Sequence, residues 1–152
     1  YKIFERRERI MIGIVILGHA DYPSGLKSAI ELLVGNPENF EALGLYQGES
    51  PDDYKSKISL LIDQVDDGDG VLVLVDLFGG TPSNTIAQIV SLNKNIQAIT
   101  GANLPMAIHA IFSRDEMTNK ELAAEVKDIG GSSVVNIGEI YQQAISENDD
   151  DF

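Results

Sequence analysis

Val71-Leu72-Val73-Leu74-Val75-Asp76-Leu77-Phe78-Gly79-Gly80-Thr81-Pro82 is the stretch that decides the fold. Five apolar residues with no polar alternation suit a strand covered on both faces, as in the middle of a parallel sheet. A carboxylate closes the run and a Gly-Gly pair turns the chain. Thr81-Pro82 then reads as cap and first position of a helix carrying Ile86, Ile89 and Val90.

Towards the N-terminus lies a second strand-sized run, Met11-Ile12-Gly13-Ile14-Val15-Ile16-Leu17, with Gly18-His19 behind it. Leu26, Ala29, Ile30 and Leu33 draw one face of a helix, which Gly35-Asn36-Pro37 stops. A short strand over 42–46 follows, then a helix opened by Ser50-Pro51 with Tyr54, Ile58, Leu61, Ile62 and Val65 facing inward. Beyond the central run the pattern predicts a strand over 96–100 and apolar helical material over 104–112. Leu122, Val126 and Ile129 mark a further helix, and 133–137 a last short strand. Strand and helix alternating in this way define the α/β class, doubly wound, with a mainly parallel sheet and helices on both faces, because each parallel connection needs a crossover.

With 152 residues, 43% of them hydrophobic, one core is expected. The chain begins with Tyr1, and Met11 reads as the natural start, so residues 1–10 are expected to be a non-native or upstream leader and 11–146 the domain. Residues 147–152 carry acid and amide without periodicity and read as a disordered acidic tail. The longest apolar runs are far short of the roughly 20 residues that span a bilayer, and no signal pattern precedes them; a cytoplasmic location is expected.

The absence of Cys removes disulfides and thiolate zinc sites, and two His do not make a histidine-rich metal cluster, so neither metal nor cofactor is expected. A net charge of −13 opposes binding to nucleic acid and favours encounter with a protein that carries a basic face. No G-x-x-x-x-G-K-[ST] segment is present, so an ordinary nucleotide P-loop is not supported.

In an open parallel sheet, ligands bind beyond the carboxyl ends of the strands where the strand order reverses. For the order 2-1-3-4 that point lies between the first and third strands, whose ends carry His19 and Asp76. Neighbouring strands are about 4.8 Å apart, so the two side chains can meet. A carboxylate that accepts a hydrogen bond from one imidazole nitrogen fixes the tautomer and frees the other nitrogen's lone pair to attack phosphorus. Gly79 and Gly80 offer backbone N–H groups to an anion, the next helix adds its positive end, and Thr81 supplies a hydroxyl. The competing plain reading makes His19 a loop residue, Asp76 a strand-end cap and Thr81 a helix cap. His109, within an apolar helical stretch, reads as structural, and Tyr46, Tyr54 and Tyr141 as packing residues with hydroxyls turned to solvent.

Three blocks bring in a family. Ile14-Val15-Ile16-Leu17-Gly18-His19 followed by Gly25-Leu26, then Val73-Leu74-Val75-Asp76-Leu77-Phe78-Gly79-Gly80-Thr81-Pro82-Ser83-Asn84, and Gly101-Ala102-Asn103-Leu104-Pro105-Met106 resemble the IIA component of the mannose/fructose/sorbose class of the bacterial sugar phosphotransferase system. The resemblance runs over residues 11–137. It implies a phosphotransferase in which His19 accepts a phosphoryl group from the carrier protein HPr and passes it to a IIB domain. The membrane IIC and IID components would be reached only indirectly. It further implies that Asp76 orients the His19 ring, that Gly79, Gly80 and Thr81 border the phosphoryl group, and that residues 133–137 form a strand exchanged within a homodimer. Family members usually have Gly after the active His. Here Ala20-Asp21 follows, which removes backbone freedom and brings a negative charge near a phosphate-accepting site.

The same residues fit other functions. One is a regulatory carrier of the same fold, sensing sugar or serving a dihydroxyacetone kinase. A receiver-like domain phosphorylated on Asp76 would need further carboxylates for Mg²⁺ at the end of the first strand, where Gly18-His19 stands. A binding module would use the Gly-rich loop alone.

Overall fold

Four strands pair in parallel in the order β2-β1-β3-β4: β1 (Gly13–His19), β2 (Phe40–Leu45), β3 (Val71–Val75) and β4 (Ile96–Thr100). The computed structural model describes residues 9–93 and 95–150. Helices α1 (Tyr22–Val34), α2 (Pro51–Val65) and α3 (Gly80–Leu92) make the crossovers, and α4 (Leu104–Ser113), α5 (Asn119–Ser132) and α6 (Ile137–Asp149) follow. Among the described residues, no helix is long and apolar enough to cross a membrane.

The period of two along a strand divides the core between the two faces of the sheet. Ile14, Ile16, Leu72 and Leu74 pack with Ile30 of α1, Met106 of α4 and Leu122 of α5. Val15, Leu17, Val73 and Val75 pack on the other face with Tyr54 and Ile58 of α2 and Ile86 of α3. Every residue of β3 is buried, which explains its unbroken apolar sequence. Each fully buried Val or Leu contributes about 1.5–3 kcal/mol, so the central pair β1 and β3 is the most heavily stabilised part of the sheet.

Local chemistry sets the helix starts. Ser50 Oγ accepts the Asp53 N–H at 3.1 Å and Asn103 Oδ1 accepts the Met106 N–H at 3.0 Å, each ahead of a proline in the first turn. Thr118 and Glu121 form a capping box at the start of α5.

Three expectations are corrected. Thr81-Pro82 does not open the third helix: α3 begins at Gly80 with Gly79 as its N-cap, and the Thr81 carbonyl already accepts the Thr85 hydroxyl at 2.7 Å inside the first turn. The two glycines adopt φ of +88° and +78°, a backbone that starts the helix earlier than a Thr cap could. Residues 133–137 are not a strand of this chain. Residues 133–136 lack regular structure, and the Asn136 side chain accepts the Glu139 N–H at 3.2 Å to cap α6. Residues 147–149, expected to be disordered, continue α6 to Asp149. The expected leader falls mostly outside the described residues, as do 151 and 152; Arg9, which is described, reaches Asp115 at 3.3 Å.

Gly13 lies where β1 crosses the end of α2, and a Cβ there would stand 2.3 Å from the Val65 carbonyl oxygen. Backbone on both sides leaves little room for relief. Gly13→Ala is expected to lower stability by about 1–3 kcal/mol, seen as a reduced urea midpoint at unchanged slope; a wild-type midpoint would contradict this packing.

Candidate functional site

Parallel register places the two candidate side chains. Leu17 of β1 pairs with Val75 of β3, and β1 continues two residues further, alongside the first residues after β3. The Asp76 N–H extends the ladder to the Leu17 carbonyl at 3.0 Å, and the Asp76 carboxylate returns to β1. Its Oδ2 accepts the His19 backbone N–H at 2.9 Å and lies 2.7 Å from His19 Nδ1, while Oδ1 accepts the Leu77 N–H at 2.8 Å. Gly18 makes this approach possible, since a Cβ there would stand 2.8 Å from Asp76 Cγ.

Burial pushes the Asp76 carboxyl up, but the hydrogen bonds from the His19 ring and from the His19 and Leu77 N–H groups outweigh it and hold it below the usual carboxylate range. With Asp76 ionised, Nδ1 carries the proton and Nε2 presents its lone pair. The Asp76 side chain is 9% exposed and that of His19 48%, so the carboxylate is enclosed and the ring open to a partner. Gly80 lies beside the far edge of the ring: a Cβ added to it would be 3.6 Å from Nε2. Nε2 thus borders the N-terminus of α3, whose free N–H groups and dipole favour an anion.

The structure therefore brings His19, Asp76 and Gly80 together, with Gly79 as the N-cap beside Gly80. Thr81 sits in the first turn of α3, partly buried, as part of the helix rather than its cap. His109 is remote in the fold, on α4, where Nε2 pairs with Glu125 Oε2 of α5 at 3.1 Å. Among the exposed residues of the same rim are Leu77 and Phe78, the latter 87% exposed.

One tyrosine departs from expectation. The Tyr54 hydroxyl is buried under the sheet without a hydrogen-bond partner. Desolvation, joined by the negative charges of Asp76 and Glu49, raises its pKa strongly and keeps it protonated. The Tyr46 side chain is exposed, as expected, but its hydroxyl is also engaged: it donates to Asp21 Oδ1 at 2.6 Å. Nothing in the local sequence couples residues 21 and 46, because only the β1–β2 pairing brings their loops together. Tyr141, on α6, is exposed as expected.

The fold and site define a class: doubly wound α/β domains with an imidazole and a carboxylate joined at the switch point. Residues 13–127 match the EIIA-man family model, described as PTS system fructose IIA component. The chain is 28% identical to the PTS system fructose-specific EIIA component of Bacillus subtilis, over 92% of this chain and 96% of that one. It is 32% identical to the PTS system mannose-specific EIIAB component of Escherichia coli over 81% of this chain, spanning 38% of that longer protein. A crystal structure of phosphotransferase system component EIIA from Streptococcus agalactiae superposes with a TM-score of 0.78 at 28% identity, covering 85% of this chain and 99% of the other. The chain belongs to the EIIA-man family, the EIIA components of the mannose/fructose/sorbose class of the phosphotransferase system.

Asp76 has a pKa below its ordinary value in the folded protein, so its interactions stabilise the fold fully above the unfolded value and are lost as pH falls through the folded one. From about pH 5 downward, through the ordinary carboxyl value of 3.8 towards the lower folded one, wild type is expected to lose stability relative to Asp76→Asn. Urea unfolding of both proteins across that range checks it; parallel curves would contradict the ion-pair assignment.

Proposed function

We propose that the chain is a phosphoryl carrier that accepts a phosphoryl group from phospho-HPr on His19 and passes it to a IIB domain. The observation that supports this most directly is the 2.7 Å contact of Asp76 Oδ2 with His19 Nδ1, which directs Nε2 at the start of α3. The Nε2 lone pair forms a bond to phosphorus as the P–N bond of the donor breaks, and that electron pair returns to the donor imidazole. Asp76 balances the positive charge that grows on the His19 ring. The N–H groups around Gly79, Gly80 and Thr81 face the phosphoryl oxygens. Transfer to the acceptor runs the same steps in reverse. Such a carrier works in the cytoplasm and needs no metal.

Phosphorylation on Asp76 itself fits poorly. Both of its oxygens are engaged by N–H donors and the side chain is enclosed.

We also propose that the carrier is a homodimer. β4 is an edge strand, bordered by a groove of about 640 Å³ lined by Val75, Phe78, Ile86, Val90 and Ile99. Val134 and Val135 are 80% and 59% exposed, and α6 buries none of its residues although Ile137, Ile140, Tyr141 and Ile145 share one face. An unpaired edge and an unsatisfied β-forming segment in the same chain suit exchange between two copies.

Incubation with phosphoenolpyruvate, enzyme I and HPr is expected to add one phosphoryl group per chain, read as intact mass. His19→Ala abolishes it and His109→Ala leaves it intact. Asp76→Asn folds but transfers at least roughly 100-fold more slowly, as when an orienting carboxylate is removed from a reacting imidazole. Labelling retained in His19→Ala would reject the reading. Separately, sedimentation is expected to show a dimer that becomes a monomer when the chain is ended after Ser132; a monomeric full chain would reject the exchange.

A further inference from the structure

The turn that follows His19 is fastened to the neighbouring strand in an unusual way. Ala20 takes a φ of +48°, in the left-handed region that an alanine rarely adopts. Its N–H donates to the Leu45 carbonyl at 2.8 Å. Its own carbonyl lies flat over Gly44, where a Cβ would come within 2.0 Å of the oxygen and 3.2 Å of Tyr46 Cε2. Glycine at 44 is therefore required by the space, and the Tyr46 ring closes the same spot from the other side. From there the Tyr46 hydroxyl donates to Asp21 Oδ1 at 2.6 Å. That hydrogen bond, with some desolvation and the carboxylate's charge, raises the phenol pKa and keeps Tyr46 the donor.

Asp21 stands two residues after His19, in the turn between β1 and α1 at the edge of the sheet where, under the carrier reading, a phosphoryl dianion arrives. An unrestrained carboxylate in that position opposes the approach of a like charge. We propose that Tyr46 is a positioning residue which, through its hydrogen bond to Asp21, ties down that carboxylate and so permits phosphoryl transfer at His19; this rests on the carrier reading above. The Tyr46 phenol takes over part of the hydrogen-bonding demand of the carboxylate and anchors it to the β2–α2 loop. Tyr46 is itself held, its N–H donating to Glu49 Oε2 at 3.3 Å while Glu49 pairs with Lys57. The role is specificity of approach rather than chemistry: Tyr46 touches Asp21, not the imidazole.

The test compares second-order rates of transfer from phosphorylated HPr to wild type, Tyr46→Phe, Asp21→Asn and the double variant, with thermal unfolding to establish that each folds. At low salt Tyr46→Phe is expected to be about 2- to 5-fold slower than wild type, the scale of one exposed charge–charge interaction. The gap should close near 1 M salt, where the screening length is about 3 Å. Asp21→Asn and the double variant should both transfer at least as fast as wild type, because the charge is gone. A packing role for Tyr46 would leave the double variant as slow as Tyr46→Phe and insensitive to salt, and either result overturns the proposal. Wild-type rates in Tyr46→Phe, or an Asp21→Asn slower than wild type, also overturn it. If the wild-type chain accepts no phosphoryl group, the carrier reading falls and this inference with it; if wild type transfers normally, a failure of the variants counts against the tie alone.

Discussion

The pairing of β1 with β3 is the constraint from which the site follows. It is made by the most apolar segments of the chain, both faces of which are covered, and it is parallel, so both strands finish at the same edge. Because β1 runs two residues past the last pair, Gly18 comes level with Asp76 and His19 lies one residue beyond, within reach of the Asp76 side chain. The carboxylate then replaces the missing rung of the ladder. Its Oδ2 takes the His19 backbone N–H as a strand carbonyl would, and the same oxygen takes the ring. Orientation of the imidazole is thus a continuation of sheet hydrogen bonding and does not depend on a mobile loop.

The surroundings of the ring are mostly backbone. Gly18 lets Asp76 come close, and Gly79 and Gly80 lead α3 in from a left-handed turn so that its first N–H groups border Nε2. A Cβ at Gly18 would collide with Asp76, and one at Gly80 would sit against the imidazole edge that carries Nε2. Two of these glycines are fixed by φ and one by contact, which are different physical demands with the same residue as their answer.

Much of this arrangement was legible in the sequence. The run 71–75 with its Asp-Leu-Phe-Gly-Gly continuation reads as strand, turn and helix, and the alternation of elements as a parallel sheet; the order that puts His19 beside Asp76 is a supposition at that level, which the structure bears out. The start of α3 was misplaced because Thr-Pro is a common opening, while the early start depends on two positive φ values that glycine permits without announcing. Val134 and Val135 give the segment 133–137 the pattern of a strand. Strand propensity needs an edge to pair with, and within one chain that segment is not placed against one. The bond between Tyr46 and Asp21 joins positions 25 residues apart and has no local signature at all.

Under the carrier reading proposed above, a net charge of −13 opposes the approach of a dianion on bulk electrostatics, and that reading requires a local field that differs from the global one. Three features make it differ. The carboxylate bonded to the ring, Asp76, faces the back of the imidazole and is compensated by two backbone N–H donors and by the ring itself. The N-terminus of α3 contributes positive potential at the opposite nitrogen without any cationic side chain. The next carboxylate, Asp21, is held by a phenol. Salt screens the distant acids over about 8–10 Å, whereas these contacts operate within hydrogen-bond range and are screened much less. The acidic surface is then free to serve encounter with a basic partner while the few ångströms around Nε2 remain receptive to an anion.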